Sequence, residues 1–296
     1  MRIAIIGVGG AGDCLLSRQC GFYAERLGHK ISYFYPVRDE VFKPLKHFFP
    51  DSIQISTDFD EGNNFEKDVF YRSKFDIEYG PFDEVYWVVP DLLYCNNHSF
   101  EWLRYNVHPQ TIKQTRLLTH VWTPDYSDPL IYVALATSTP NYNYPYLRQL
   151  LIDLAGTLRT HIIYFPNISQ WAGKDLNFGD LSNLPNNVWI DNDPDIIDSL
   201  EILRRSEYCI STCNGSSHWA FHFGIPRLIL DPQFERPAWV ARWKENEAEC
   251  IDRLTDPGTV ARIVKTNIEM PQTCLIDRRY LLNDVDWARV LMLKKY

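Results

Sequence analysis

The amino-acid sequence predicts an α/β protein with two domains, each built around a parallel β-sheet. The first observation is the apolar run Arg2–Val8, which ends at glycines, as a strand buried on both faces does. The second is another strongly apolar run, Pro129–Ala136, which would be the first strand of a second domain. The third is the length of 296 residues, because about 150 residues per domain is usual. Two β/α domains of similar size are therefore expected.

The first domain opens with a strand, a turn, a helix and a second strand. Apolar residues recur at helical spacing over about Asp13–Leu27, and Gly28 is placed to end that helix. The strand His29–Tyr35 follows and is stopped by Pro36. This order is the βαβ unit of a parallel sheet. A further helix, an extended segment and a strand are predicted at Val41–Phe49, Ser52–Ser56 and Glu84–Val89.

The second domain repeats the alternation of strands and helices after its first strand. The predicted elements are a helix at Tyr146–Leu158, strands at His161–Phe165 and Asn187–Ile190, a helix at Pro194–Arg205, a strand at Glu207–Ser211, a helix at Ser216–Phe223 and a strand at Pro226–Leu230. We place the two domains at residues 1–125 and 126–280. Residues 281–296 are predicted to form an amphipathic helix that could pack back on the first domain.

Composition excludes several classes of protein. The net charge of -8 and the lack of a Lys/Arg-rich run argue against a nucleic-acid partner, which needs a basic face. No apolar window reaches about 18 residues, so we expect no transmembrane segment, which leaves peripheral membrane contact open. The seven cysteines are scattered without C-x-x-C spacing. They predict no disulfide framework and no zinc site, and they favour a cytoplasmic location.

The glycines of GVGGAGDCLLS have one interpretation as a dinucleotide site. Gly7, Gly9 and Gly12 match G-x-G-x-x-G between a strand and a helix. That site also needs an acid about 20 residues later to bind the ribose hydroxyls. The second strand, HKISYFYP, supplies none before Asp39, although Arg38 could hold a 2′-phosphate. An NAD(P)-dependent oxidoreductase therefore stays as an alternative function.

A second turn, in EYCISTCNGSSHWAFHFGIPRLIL, also has the features of a phosphate site. A strand ends at Ser211, small polar residues Thr212–Ser217 follow, and a short apolar helix begins. Such a turn presents backbone N–H groups and the positive end of a helix at the carboxyl edge of a sheet. His218 could face a ligand there, whereas His222 is predicted to face the core.

Both stretches resemble a known family. GVGGAGDCLLS is similar to the G-x-x-G-D-x-L-L opening of bacterial lipopolysaccharide heptosyltransferases, which are glycosyltransferase family nine. PDIIDSLEILRRSEYCISTCNGSSHWAFHFGIPRLIL resembles their donor-binding segment. The resemblance implies two Rossmann-like β/α/β domains facing a central cleft, the glycosyltransferase-B fold. The chain departs from the family in the loop TSTPNYNYPY, which has no Lys or Arg before Arg148.

The resemblance also implies roles for individual residues. Asp13 would be the catalytic base that takes the proton of the acceptor hydroxyl; the alternative is that it caps the helix. The remaining site residues implied are Gly9, Gly10 and Gly12 for the acceptor, Asn214, Gly215, Ser216, Ser217 and His218 for the donor diphosphate, and Asp231 and Glu235 for the ribose or sugar. The alternative for Asp231 and Glu235 is that they are loop acids without a binding role. No metal and no cofactor are expected. Asp58 and Asp60, which match D-x-D, are predicted to be solvated loop acids.

The leading hypothesis is a hexosyl- or heptosyltransferase of the metal-independent, inverting kind. It would move a sugar from a nucleotide-sugar donor to a glycan or glycolipid acceptor, as in lipopolysaccharide or glycan biosynthesis. A third hypothesis, from a different class, is a catalytically silent sugar-nucleotide-binding protein. The residues do not indicate which sugar or nucleotide is bound.

Overall fold

The computed structural model describes residues 1–7, 9–59, 68–88, 130–136, 143–158, 161–164, 181–190, 195–212, 214–231 and 248–269. The chain divides into two compact units. The described residues up to Val88 belong to the first unit, and those from Leu130 onwards belong to the second. Each unit contains one parallel sheet. The predicted boundary at residues 125 and 126 and the predicted helix over 281–296 lie outside the described residues.

The first unit begins with the predicted βαβ order. Its elements are β1 (Arg2–Gly7), α1 (Ala11–Arg26), β2 (Lys30–Tyr35), α2 (Asp39–Phe48), β3 (Ile53–Gln54), a 3-10 turn (Thr57–Phe59), α3 (Asp68–Tyr79) and β4 (Glu84–Val88). The strand order is β3-β2-β1-β4, and all the pairings are parallel. β1 has a neighbour on each side, which explains why its apolar run is continuous.

An aromatic cluster fills one side of this first sheet. Ala4 and Ile6 of β1 pack with Phe34 of β2 and with Phe75 and Phe82. The rings of Phe34 and Phe75 meet edge to face with centroids 5.0 Å apart, a favourable geometry for two aromatic rings. Phe75 belongs to α3, so this contact holds α3 against the sheet.

The second unit contains a six-stranded sheet. Its elements are β5 (Leu130–Ala134), α4 (Leu147–Thr157), β6 (His161–Tyr164), β7 (Val188–Ile190), α5 (Ile196–Arg205), β8 (Tyr208–Ser211), α6 (Gly215–Phe223), β9 (Arg227–Asp231), β10 (Glu249–Asp252) and α7 (Pro257–Glu269). The strand order is β10-β9-β8-β5-β6-β7, all parallel. This is the doubly wound order of nucleotide-binding domains, in which the strand order reverses between β5 and β8. Ligands of such sheets bind at that reversal, beyond the carboxyl ends of the strands.

Helices cover both faces of this second sheet. Leu228 and Leu230 of β9 belong to the core that includes α4 and α7. Arg227, which precedes Leu228, points to the other face, where its guanidinium lies 4.9 Å from the ring centroid of Phe221 in α6. α5 also lies on that second face, where the hydroxyls of Tyr132 and Ser199 are 2.8 Å apart. The two faces are therefore covered by α4 with α7 and by α5 with α6.

The predicted strands and helices that fall on described residues are confirmed, with their ends shifted by a few residues. Four elements were not predicted: the 3-10 turn at Thr57–Phe59, α3, β10 and α7. No helix among the described residues is long and apolar enough to cross a membrane.

Candidate functional site

The glycine turn of the first unit lies at the carboxyl end of β1. Gly9 has a φ of 116°, a backbone conformation that favours glycine. The Cys14 N–H donates to the carbonyl oxygen of Gly10 at 2.9 Å, the first bond of helix α1. Asp13 is therefore the third residue of α1. The alternative that Asp13 caps this helix is wrong, because Gly10 holds the capping position.

Close packing fixes the shape of this turn. The Cys14 thiol lies 3.9 Å from the carbonyl oxygens of both Gly7 and Gly9. Gly7 has no room for a side chain, since a Cβ there would lie 2.2 Å from Ser17 Oγ and 2.6 Å from Tyr35 Cε1. The glycine at position 7 thus lets α1 and β2 approach the end of β1.

A partly buried arginine, Arg18, anchors α1 to the rest of the first unit. The guanidinium of Arg18 stacks between the rings of Tyr33 and Phe49, at 4.1 and 4.2 Å from their centroids. Its Nη2 donates to both carboxylate oxygens of Asp51 at 2.7 Å. Burial, reinforced by the charge of Glu25, raises the pKa of the Tyr33 hydroxyl well above its usual range. This contact set fixes the helix that carries Asp13.

The three glycines predicted to bind the acceptor differ in exposure. Gly9 is exposed, Gly10 is half-buried, and Gly12 is buried inside the first turn of α1. Of these three glycines, Gly9 and Gly10 thus have backbone that is open to a ligand. Gly12 serves helix packing.

The second predicted turn lies where β5 and β8 meet. Asn214 is the N-cap of α6, and its side-chain oxygen accepts a hydrogen bond from the Ser217 N–H at 3.4 Å. Its Nδ2 donates to the carbonyl oxygen of Ala134 at 2.8 Å and to that of Ala136 at 3.3 Å. One side chain therefore caps α6 and ties it to the end of β5. We refer to Thr212 and Asn214–Ser217 as the tethered turn.

The tethered turn includes two backbone donors that helix geometry leaves without an intrahelical acceptor. The Asn214 N–H donates to the carbonyl oxygen of Thr212 at 2.8 Å, and the Ser217 hydroxyl donates to the carbonyl oxygen of Asn214 at 2.6 Å. The N–H groups of Gly215 and Ser216 belong to the first turn of α6, where helix geometry supplies no intrahelical acceptor. Among the predicted diphosphate residues, Gly215 and Ser216 are thus the ones suited to bind an anion through the backbone. Asn214 and Ser217 shape the turn.

Buried polar side chains are concentrated around this turn. Eleven polar or charged residues are buried in the described parts of the chain, and eight of these lie within residues 206–231. They include His218, which is 5% exposed, and His222, which is fully buried as predicted. Buried polar groups cost stability unless they are hydrogen-bonded, so their concentration marks a specialised region of the fold.

Asp231 is the last residue of β9. It is fully buried, and the Cys250 thiol of β10 lies 3.9 Å from its Oδ2. The sequence placed this acid just beyond the strand, whereas the structure places it inside the strand end, under the carboxyl edge. Glu235, its predicted companion, lies outside the described residues.

Two loops are joined at this same edge of the sheet. The Tyr144 hydroxyl donates to the carbonyl oxygen of Thr255 at 2.8 Å, and the Arg253 Nη1 donates to that of Asn143 at 3.4 Å. These bonds link the loop after β5 to the loop after β10. Sequence reasoning missed this pairing, because the residues are 110 or more positions apart.

The described residues contain no group of three or more His, Cys, Asp or Glu side chains arranged to hold a metal ion. Asp58, from the D-x-D match, is exposed, and its carboxylate lies 3.4 Å from Lys74 Nζ. Its companion Asp60 lies outside the part of the chain that the structure describes.

Comparison with known proteins gives a clear result for the fold. No family model matches the chain, and no curated protein sequence matches it. Solved structures do. The chain is similar to E. coli heptosyltransferase WaaC with ADP-2-deoxy-2-fluoro heptose, with a TM-score of 0.56 and 10% identity over 90% of this chain and 100% of that chain. It is similar to E. coli ADP-heptose lps heptosyltransferase II, with a TM-score of 0.57 and 14% identity over 90% and 98% of the two chains.

A third similar structure is the glycotransferase of kitacinnamycin, with a TM-score of 0.52 and 13% identity over 99% of this chain and 97% of that chain. At such low identities, structural likeness establishes the fold alone. The predicted fold class is therefore confirmed: the chain has a heptosyltransferase-like glycosyltransferase-B fold with two Rossmann-like units.

Proposed function

We propose that the protein is a metal-independent glycosyltransferase that moves a sugar from a nucleoside-diphosphate sugar to a glycan or glycolipid acceptor, with inversion. The observation that carries the proposal is the tethered turn, which holds the positive end of α6 at the β5–β8 reversal. The fold adds support, because the similar WaaC structure contains a nucleotide-sugar analogue.

The donor diphosphate binds at the tethered turn in this proposal. The N–H groups of Gly215 and Ser216 donate to phosphate oxygens, and the dipole of α6 favours the negative charge. That charge grows as the bond between the anomeric carbon and the diphosphate breaks. Donors that are already oriented stabilise the departing group without reorganisation. His218 is assigned to the diphosphate as well, and Asp231 and Glu235 are assigned to the ribose or sugar.

The acceptor binds at the glycine turn, against Gly9 and Gly10. Its hydroxyl oxygen attacks the anomeric carbon while the nucleoside diphosphate leaves with the bonding electron pair. The hydroxyl proton goes to the carboxylate of Asp13. Attack opposite to the leaving group inverts the anomeric configuration. No cofactor takes part, and we place the reaction in the cytoplasm, in keeping with the scattered cysteines.

The alternative functions are less well supported. A dinucleotide-dependent oxidoreductase needs an acid at the end of β2, but that strand ends at Tyr35. The first acid beyond it, Asp39, accepts a hydrogen bond from the Gln54 side chain at 2.9 Å. A silent sugar-nucleotide-binding protein would use the same tethered turn, so measurement of transfer is what separates it from an enzyme.

A thermal-shift panel tests the class of ligand. Nucleoside diphosphates (ADP, UDP, GDP and dTDP) and their sugars should raise the melting temperature, whereas NAD(P)H should not. Stabilisation by NAD(P)H alone would contradict the transferase proposal.

Variants at position 13 then test the base. Asp13→Asn should lower the rate of transfer by at least about 100-fold, since general bases contribute that much or more, while donor affinity stays unchanged. Asp58→Asn makes the same chemical change on an exposed acid of the same unit and should leave the rate unchanged. An unaltered rate in Asp13→Asn would remove this residue as the base.

A further inference from the structure

Arg253 lies at the carboxyl edge of the second sheet, one residue beyond β10. Its backbone N–H donates to the carbonyl oxygen of Asp231 at 3.3 Å, which ties it to the end of β9. Its guanidinium Nη1 donates to the carbonyl oxygen of Asn143 in the loop after β5, at 3.4 Å. The residue thus reaches from one strand end to the loop of another.

The strand order brings this side chain next to the tethered turn. β8 lies between β9 and β5 in the sheet, and adjacent strands are about 4.8 Å apart. Arg253 follows β10, and its guanidinium reaches Asn143. The next residue, Tyr144, donates its N–H to the carbonyl oxygen of Leu135 at 3.3 Å, just beyond β5 and beside the end of β8. The tethered turn starts at that end, and Asn214 ties it to Ala136, in the segment that leads into the same loop.

Arg253 approaches from the face opposite to α6. Tyr144, the residue after Asn143, is buried in the core that includes α4 and α7. Its hydroxyl bonds Thr255, two residues beyond Arg253, so both loops are held on that face. α6 covers the other face. A group bound at the start of α6 would therefore have the tethered turn on one side and Arg253 on the other.

The charge requirement of the site explains why such a cation is needed. A diphosphate carries at least two negative charges, whereas the end of a helix supplies about half a positive charge. The guanidinium has five N–H donors in a planar fork that suits phosphate oxygens. One contact, to Asn143, is made, and no carboxylate among the described residues pairs with Arg253.

We propose that Arg253 binds the diphosphate of the donor and neutralises it as it leaves. This inference rests on the proposed function, because it assigns a residue to the same donor site. Arg253 acts by direct contact with the phosphate oxygens. Its bond to Asn143 sets the position of the guanidinium.

Isothermal titration with inorganic pyrophosphate, and with the nucleoside diphosphate that stabilises the protein most, tests this assignment. Arg253→Gln removes the charge but keeps an N–H donor on the side chain. It should raise the Kd of both ligands about tenfold or more, the usual effect of losing a charge-assisted hydrogen bond. Arg253→Lys should recover part of the affinity. The Kd of the matching nucleoside, which has no phosphate, should not change.

Two further variants separate charge from structure. Arg262→Ala removes an exposed arginine of α7 from the same unit and should leave both Kd values unchanged. Tyr144→Phe breaks the other link between the two loops and should weaken binding by less than twofold. If Tyr144→Phe weakens binding as much as Arg253→Gln, the loop link and not the charge matters, and the proposal is overturned. Unchanged Kd values in Arg253→Gln also overturn it.

The two ligands distinguish this inference from the proposed function. If wild-type protein binds pyrophosphate through Arg253 but binds no nucleotide, the donor assignment fails while the anion site stands. If nucleotide binds and Arg253→Gln has no effect, the proposed function stands and the role of Arg253 fails. Wild-type protein that binds neither ligand overturns both.

Discussion

The side-chain amide of Asn214 donates a hydrogen bond to the carbonyl oxygen of Ala134 at 2.8 Å, across 80 positions of the chain. Ala134 ends β5, and Asn214 follows β8. The bond therefore joins the ends of the two strands between which the strand order of the sheet reverses. The other end of the same amide caps α6. The positive end of α6 is therefore fixed to the position at which doubly wound sheets bind ligands.

Asn214→Asp should weaken both the fold and the binding of the donor. An aspartate keeps the acceptor for the Ser217 N–H but replaces the donor to Ala134 and Ala136 with an oxygen, which those carbonyls repel. We expect a loss of about 1–3 kcal/mol in unfolding free energy. The Kd of a nucleoside diphosphate should rise at least about tenfold, because a negative charge now lies beside the phosphates.

Asn214→Ser and Asn183→Asp are the controls for this prediction. Serine keeps a capping oxygen without the bond to β5 and without added charge, so it should lose stability but less affinity. Asn183 is exposed and remote in sequence from the tethered turn, so Asn183→Asp should change neither quantity. Equal affinity in wild type and Asn214→Asp, measured by calorimetry, would show that the turn does not bind the diphosphate.

Gly7→Ala should destabilise the first unit by about 1–3 kcal/mol, the usual cost of overpacking. A methyl group at this position would overlap Ser17 Oγ and the ring of Tyr35. Gly156→Ala is the matched change, since its Cβ would meet nothing within 4 Å inside helix α4. That variant should gain about 0.5–1 kcal/mol. Urea denaturation measures both, and a neutral Gly7→Ala would refute the packing argument.

Arg18→Lys should cost about 1–2 kcal/mol although the charge is kept. Lysine cannot lie flat between the rings of Tyr33 and Phe49, and it has no second nitrogen to donate to the Ser52 hydroxyl, as Arg18 Nη1 does at 3.2 Å. Because Asp51 is half exposed, the stacked rings account for most of the expected loss. Arg26→Lys, at the exposed end of the same helix, should be neutral. Equal melting temperatures for the two variants would contradict the anchoring role.

The stability of the protein should fall above pH 9, in part through Cys209. Burial raises the pKa of this thiol to about 12 from an ordinary value of 9.0, although the charge of Arg227 opposes the shift. The unfolded chain therefore loses this proton first. The stabilisation is complete below pH 9 and declines as the pH rises towards 12.

A pH series of melting temperatures for wild type and Cys209→Ala tests this expectation. The wild type should lose stability more steeply than the variant between pH 9 and pH 11, and the two curves should run parallel below pH 8. Parallel curves over the whole range would mean that the thiol ionises alike in the folded and unfolded states.

The sequence was sufficient to predict the strands and helices that have a clear local pattern of apolar residues. The residues Ile3–Ile6 of β1 and the strand Leu130–Ala134 are continuous apolar runs because they lie inside parallel sheets. β10 gave a weaker signal, since it has four residues and pairs on one side only. α7 had a usable signal that was missed: Asp256 and Pro257 form a typical helix start, and the Asp256 carboxylate accepts the Thr259 N–H at 2.9 Å.

The candidate site was predicted in part. The residue types at Asn214, Gly215 and Ser216 indicated an anion-binding helix start, because capping chemistry is local. The bond from Asn214 to Ala134 and the reach of Arg253 towards Asn143 depend on strand order. Strand order brings together residues that are far apart in the chain. The local sequence pattern does not predict that order, so these two contacts were not predicted.

The reversal between β5 and β8 also governs when the protein can first bind a ligand during folding. Contacts across 80 positions form late, because a long loop must close before they are made. A partly folded chain in which α6 has formed but β5 has not yet docked lacks the hydrogen bond that fixes the start of α6. Capture of a nucleotide would then mark the last stage of refolding in the second unit, and a ligand added at the start could not speed the steps before it.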